Sequence, residues 1–250
     1  AKYKGGFDVP KPYTPVGIEA FRTTADTCKN NFATLNPLNP TPGTLSNGNL
    51  SFYRNAKGGS TSTFGVDSGK FYVEATGRVE VGGFAFGFVQ DNYETDGSPD
   101  IGASSTSFGV RFKDFSTEFK PLGGSSTVYS SQTNTQSTVI ALAVDFDTGA
   151  ITVYRNGVSI TTTTLTLPAG KFFAAVASET STQAKDIQIN FGQNPTFSGT
   201  VTAGTNTDSN GKGLFKYAPP SGFLALCEDN LPTPAIADPG EHFKTVLYTG

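Results

Sequence analysis

The side chains that could do chemistry in this 250-residue chain are few and scattered. His242 is the sole histidine, set between Glu241 and Phe243. A Ser–His–carboxylate triad needs a nucleophile in a context such as G-x-S-x-G, and no such context exists. Phosphate-cradling glycine loops and paired Cys/His metal-ligand motifs are also missing. The one acidic cluster is the loop DNYETDGSPD at positions 91–100. Asp91, Glu94, Asp96 and Asp100 carry the hard oxygen atoms that Ca²⁺ takes, and Gly97 permits a sharp turn. Their spacing is not that of an EF-hand, so a solvated loop is the preferred reading and no metal is expected. As a contact loop for a sugar or a protein the segment has more to offer. Tyr93 presents a flat apolar face, and the carboxylates accept hydrogen bonds from hydroxyl groups. Asp91, Tyr93, Glu94, Asp96 and Asp100 are therefore the candidate binding residues.

Cys28 and Cys227 are the two cysteines, one in each flank of the chain. A disulfide between them would tether arm to tail and, by loop entropy, contribute about 5 kcal/mol. Two reduced, buried thiols are the alternative. Asn49-Leu50-Ser51 fits a glycosylation pattern but reads as a turn edge. Asp145 and Asp147 read as turn and strand-edge residues. A formal charge of −3 without a basic cluster argues against nucleic acid as a partner. No apolar run approaches the roughly 20 residues that span a bilayer, so membrane insertion is not expected, and no leader is visible at the N-terminus. No cofactor is expected.

The element that must position these groups is Val139–Gly157, VIALAVDFDTGAITVYRNG. Ile140, Leu142, Val144 and Phe146 alternate along one face, while Val139, Ala141 and Ala143 are small or apolar on the other. Such a strand is covered on both faces. Asp147-Thr148-Gly149 turns the chain, Ile151 and Val153 oppose Thr152 and Tyr154, and Asn156-Gly157 is a strong type I′ hairpin signal. This is the middle of an antiparallel sheet.

Other strands follow the same rule. TLSNGNLSFY reads as a hairpin around Asn47-Gly48. Phe71, Val73 and Ala75 alternate in KFYVEAT. Phe84, Phe86 and Phe88 line one face of FAFGFV, as Phe108, Val110 and Phe112 do farther on. TTTTLTLPAG is β-prone, KFFAAVAS is apolar on both faces, and Ile187, Ile189 and Phe191 mark a half-exposed strand. About ten strands with turn signals every 8–12 residues or so predict an all-β antiparallel sandwich. It occupies residues 31–197, preceded by a proline-rich arm at 1–30. A flexible excursion at 198–213 and a C-terminal segment at 214–250 follow. The β pattern of HFKTVLYTG suggests a chain that continues in a longer protein.

The order GKFYVEA, FGFV, VIALAVDFDTGAITVYRNG, FFAAVAS, INFGQNP resembles the SPRY domain, a β-sandwich of concanavalin A-like jelly-roll architecture. The flanks CKNNFATLNPLNPTPGTLSNGNL and FKYAPPSGFLALCEDNLPTPAI, with VPKPYTPVGIEAFR in the arm, look like SPRY-containing structural proteins of tailed bacteriophages. The resemblance implies a non-enzymatic virion component, in a tail fibre, baseplate or capsid-surface appendage. Its implied partners are other virion proteins and further copies of itself, and its implied location is the particle surface. A lectin-like module for host-surface glycans is the alternative, and an intracellular peptide-binding adaptor a distant third. Concanavalin A-like folds also include glycoside hydrolases, whose strand-borne E-x-D-x-x-E pattern is absent: Ala-Thr-Gly follows Glu74 and Val-Gly-Gly follows Glu80. A SPRY core usually carries a Trp near GK-x-Y-x-E. Here Phe71 and Val73 stand there, a departure that bears on any pocket built around that Trp and not on the fold.

Overall fold

The computed structural model describes residues 25–27, 29–39, 43–77, 83–91, 100–178 and 185–232. Residues 1–24 and Cys28 of the arm, Glu80 and the closing run HFKTVLYTG lie outside them. The described residues form thirteen strands: β1 Thr44–Ser46, β2 Ser51–Arg54, β3 Gly58–Val66, β4 Lys70–Gly77, β5 Phe84–Gln90, β6 Ser107–Phe112, β7 Thr117–Lys120, β8 Thr127–Ser130, β9 Ile140–Asp145, β10 Ala150–Arg155, β11 Val158–Thr164, β12 Phe172–Ser178 and β13 Lys185–Asn190. A seven-stranded sheet runs β1-β2-β13-β4-β9-β10-β11, and a six-stranded sheet runs β3-β12-β5-β6-β7-β8. The chain is an all-β antiparallel sandwich, as its pattern predicts.

The alternating residues read from the sequence meet between the sheets. Val73, Leu142 and Ile189 from one sheet and Phe86, Val110 and Val176 from the other belong to a single apolar core. Phenylalanine fills it from both sides: the Phe88 and Phe146 rings stand edge to face at 5.3 Å, and Phe108 lies 5.7 Å from Phe172. Phe71 and Val73 are both buried there.

The central stretch folds as its residues dictate. β9 pairs with β4 on one side and β10 on the other. Asp145 accepts hydrogen bonds from the Asp147 and Thr148 main-chain N–H groups, and Gly149 takes φ 74° to complete the turn. Asn156 (φ 49°) and Gly157 (φ 78°) form the next hairpin, where the Asn156 side chain accepts from the Val139 N–H at 2.9 Å.

Two strands were not legible in the pattern. β3, GGSTSTFGV, lacks alternation because its small residues answer to a close neighbour. A Cβ on Gly59 would lie 2.7 Å from the Val176 carbonyl oxygen across the β3–β12 pair. β7, TEFK, is too short to show a period.

Candidate interaction surfaces

The outer face of the seven-stranded sheet should be solvated in a simple sandwich. Here Tyr72, Ala141 and Ala143 form a second apolar cluster with Phe32, Phe215, Ala225 and Cys227. Both chain flanks supply the cover. β13 pairs with β4 only as far as Glu74, which leaves the first half of that edge open. The C-terminal segment takes the vacancy: the Tyr72 N–H donates to Leu224 O and the Leu224 N–H to Lys70 O, both at 2.9 Å. One step outward, the Ala33 N–H donates to Leu226 O at 2.9 Å. The flanks are thus woven into the sheet.

Glu74 lies at the centre of this face, fully buried. Its Oε1 accepts from the Tyr72 hydroxyl (3.1 Å) and the Tyr217 N–H (2.8 Å), and its Oε2 from Asn190 Nδ2 (3.1 Å) and the Lys216 N–H (2.9 Å). Burial raises its carboxyl to about 7, and the four hydrogen bonds pull the other way without prevailing. None of the four donors is a cation; the Lys216 ammonium turns instead to the Thr202 carbonyl and hydroxyl. Burial and the Glu74 carboxylate together push the Tyr72 phenol well above its ordinary range. Beyond Glu74, the Tyr217 ring lies on the β10–β11 turn, where a Cβ on Gly157 would stand 2.6 Å from it.

Asp208 ties down the rest of the segment. Its buried carboxylate accepts from the Asn210, Lys212 and Ala225 N–H groups and from Asn230 Nδ2, all within 2.9 Å. Within the stretch 198–213, expected from its Gly/Thr/Asn/Ser content to be a flexible excursion, the Thr200 hydroxyl donates to Gln188 of β13 at 3.2 Å and Asp208 bonds to Ala225 and Asn230. Sequence reasoning passed over Glu74 as a residue lacking a hydrolase neighbour. The signal was present: Ala141, opposite Glu74 in the register, belongs to a strand apolar on both faces.

Cys227 is a free, fully buried thiol in this cover, and burial pushes it above its ordinary range. Cys28, its partner in the possible disulfide, lies outside the described residues.

On the six-stranded sheet the acidic loop has a different setting. Tyr93, Glu94 and Asp96 lie outside the described residues. Asp91 stands exposed at the end of β5. Asp100 turns inward and accepts from Arg111 Nη2 at 3.1 Å and from the Lys120 ammonium. The row continues across the sheet, with Lys113 bound to Glu118 at 2.6 Å. Next to Asp100, Ile101 is buried against Ala85, Val89, Ala175 and Ala177. It occupies a slot left by the cross-strand pair Gly87 and Gly109, where added Cβ atoms would lie 2.8 and 2.7 Å from its Cγ2. This explains why KFFAAVAS is apolar on both faces.

One end of the sandwich gathers loops. Gly69 donates to Asp147 at 3.0 Å, joining the β3–β4 and β9–β10 turns. Gln90, the neighbour of Asp91, donates to Ala169 O at 2.9 Å. A cleft of about 300 Å³ opens here between Asp67, Ser68, Lys171, Leu231 and Pro232. Asp91 and Lys171 thus reach the same rim by way of Gln90 and Ala169, and the rim offers a partner both charges beside a small cleft.

This geometry has counterparts. The SPRY domain family model matches residues 68–194, just over half of the chain. The PSpry domain of TRIM65 aligns with 64% of this chain and 92% of its own at 12% identity and a TM-score of 0.52. The SPRY domain of human HERC1 does so over 62% and 96%, at 18% identity and a TM-score of 0.51. Both likenesses show the fold. No curated protein matches the sequence. By the family model and the two-sheet architecture together, the chain belongs to the SPRY domain family, whose members are generally protein-interaction sandwiches rather than enzymes.

Proposed function

We propose that this chain is a non-enzymatic interaction module of a bacteriophage particle, displayed on a tail fibre, baseplate or capsid surface. The observation that carries the reading is the weaving of both flanks into the seven-stranded sheet. The described parts of the flanking sequences that resemble phage structural proteins, residues 30–35 and 215–230, fold onto the sandwich that resembles SPRY domains. With one sheet face covered by its own chain, the loop rim around Asp91, Asp67 and Lys171 is left for partners. Neighbouring virion proteins and further copies of the chain are the partners this reading implies. Fold alone does not decide function, so the experiment must locate the protein. Antibody raised against the chain is expected to decorate particles at a discrete position, and crosslinking from Lys171 is expected to capture a neighbouring virion protein. Particles that carry no label, with the chain recovered only from the soluble lysate, would overturn the assignment. A glycan array tests the competing sugar-binding role of the 91–100 loop, which loses its support if no sugar binds at millimolar concentration.

A further inference from the structure

The four sheet edges are not equally protected. β3 is covered by residues 34–36, through Thr63 N–H to Thr34 O and Asn36 N–H to Thr61 O, both at 2.8 Å. β1 has three residues, and β8 has four with a register break. β11 is different. It has seven residues, VSITTTT, pairs with β10 on one side only, and carries neither charge nor proline. Among the described residues no main-chain group pairs with its outer edge. Solvent-facing edges are ordinarily blunted with Lys, Pro or a bulge; β11 has its bulge only at Ile160, and the uncharged β-branched run beyond it invites another strand. The register break of β11 falls near its start, which leaves Thr161–Thr164 as an unbroken run.

We infer that the outer edge of β11 pairs with β11 of a second copy of this chain, antiparallel about a two-fold axis, joining two seven-stranded sheets into one. A two-fold axis perpendicular to the sheet preserves its faces, so one residue must stand opposite its own copy. Of the two residues at the middle of the unbroken run, Thr162 is the exposed one and is set there, with Thr161 opposite Thr163 and the bulged Ile160 just beyond. Every pair in this register is β-branched or hydroxylic, a favourable cross-strand class, and no like charges meet. That absence of charge makes the strand compatible with its own copy, a homotypic pairing that a charged edge forbids. The neighbouring edge adds area. β8 runs beside β11, and its Val128 (53% exposed) and Tyr129 (38%) share this rim with Val158 (67%). The same axis brings these apolar groups toward their copies. The inference holds whatever assembly the chain serves.

Sedimentation velocity of the full chain tests it. The wild type is expected to shift from monomer to dimer as concentration rises to about 100 μM, the weak end of specific association. Thr162 is exposed and its hydroxyl bonds to that of Thr152 on the neighbouring strand, so Thr162→Lys and Thr162→Glu are expected to leave the fold intact. Each variant alone places like charges opposite one another and is expected to weaken the dimer at least tenfold. Mixing the two is expected to restore a one-to-one heterodimer, which also shows that both are folded. A wild type that stays monomeric throughout, single variants that dimerise as tightly as wild type, or a mixture that fails to pair would each overturn the inference.

Discussion

The buried Glu74 carboxyl sets a pH dependence of stability whose sign and size follow from its surroundings. In the unfolded chain the group titrates at its ordinary 4.5, and in the folded protein at about 7. Below pH 4.5 both states hold the proton and stability is at its full value. Between 4.5 and 7 the unfolded chain has released a proton that the folded one retains, so stability falls as pH rises. The gap, at about 1.4 kcal/mol per pH unit, amounts to roughly 3 kcal/mol, and the curve is flat above 7. No discount for solvent applies, because Glu74 is fully buried. Urea unfolding from pH 4.5 to 8.5 measures the slope. Glu74→Gln is expected to flatten it, since an amide does not titrate. Its absolute stability changes less predictably. An amide NH₂ facing Tyr72 and Tyr217 donates to the Tyr72 hydroxyl oxygen but orphans the Tyr217 N–H, at about 1–3 kcal/mol. Asp145 does not confuse the result. Its burial is outweighed by hydrogen bonds from Lys70, Thr148 and Asp147 that hold its carboxyl below the ordinary value, so its contribution is lost only under more acid conditions. His242 is common to both proteins and cancels in the comparison. A wild-type curve that is flat or rises between pH 4.5 and 7, or a slope that survives in Glu74→Gln, would refute the reasoning.

Other perturbations have defined outcomes. Ile101→Ala empties the slot above Gly87 and Gly109 and is expected to cost about 2–4 kcal/mol in chemical denaturation; a loss under about 0.5 kcal/mol would mean that Ile101 does not anchor this loop. Gly87→Ala drives a Cβ to within 2.1 Å of the Phe108 carbonyl oxygen, for an expected loss of about 1–3 kcal/mol by the same measurement. Asp208→Ala leaves three main-chain N–H groups without their acceptor and the Asn230 amide with only the Ala225 carbonyl, and is expected to cost about 3 kcal/mol or more and to open residues 202–232 to limited proteolysis; unchanged cleavage would count against Asp208 as the fastener. Asp100→Ala removes ion pairs at a carboxylate about one-third exposed, so a loss of about 1 kcal/mol or less, shrinking with salt, is expected in the same assay.

What the sequence disclosed depended on how each residue is constrained. Ile140, Leu142 and Val144 announce themselves because a period of two is the geometry of a strand, and Asn156-Gly157 because few residues tolerate φ > 0 twice in succession. The double-sided burial of Ala141 and Ala143 was legible in the same way, yet it did not say what lay on top. That cover is Phe215, Ala225 and Phe32, brought from positions far apart by chain crossings that no local period records. β3 escaped for the opposite reason. Gly59 is selected by the Val176 carbonyl and Gly65 by the Phe173 ring, and an absent side chain leaves no pattern. The acidic loop was recognised as a cluster, but the sequence could not separate Asp100, which Arg111 and Lys120 claim, from Asp91, which faces solvent.

The two buried carboxylates have a common origin in the kind of cover this sheet carries. A helix laid across a sheet satisfies its own main-chain groups, whereas irregular chain brings N–H donors that burial would orphan. Those donors need acceptors beneath or within the segment. Glu74 rises from β4 to receive Lys216 and Tyr217, and Asp208 curls back to receive Asn210, Lys212 and Ala225. An ionised carboxylate suits the task because it accepts several hydrogen bonds at once and donates none. The dependence runs both ways: without the segment Glu74 loses two of its four donors, and Tyr72, Ala141 and Ala143 lose their apolar cover. The physical unit is therefore larger than residues 68–194. Among the described residues it includes at least 30–35 and 206–230, whose main-chain hydrogen bonds and apolar side chains complete the seven-stranded sheet and its outer cover.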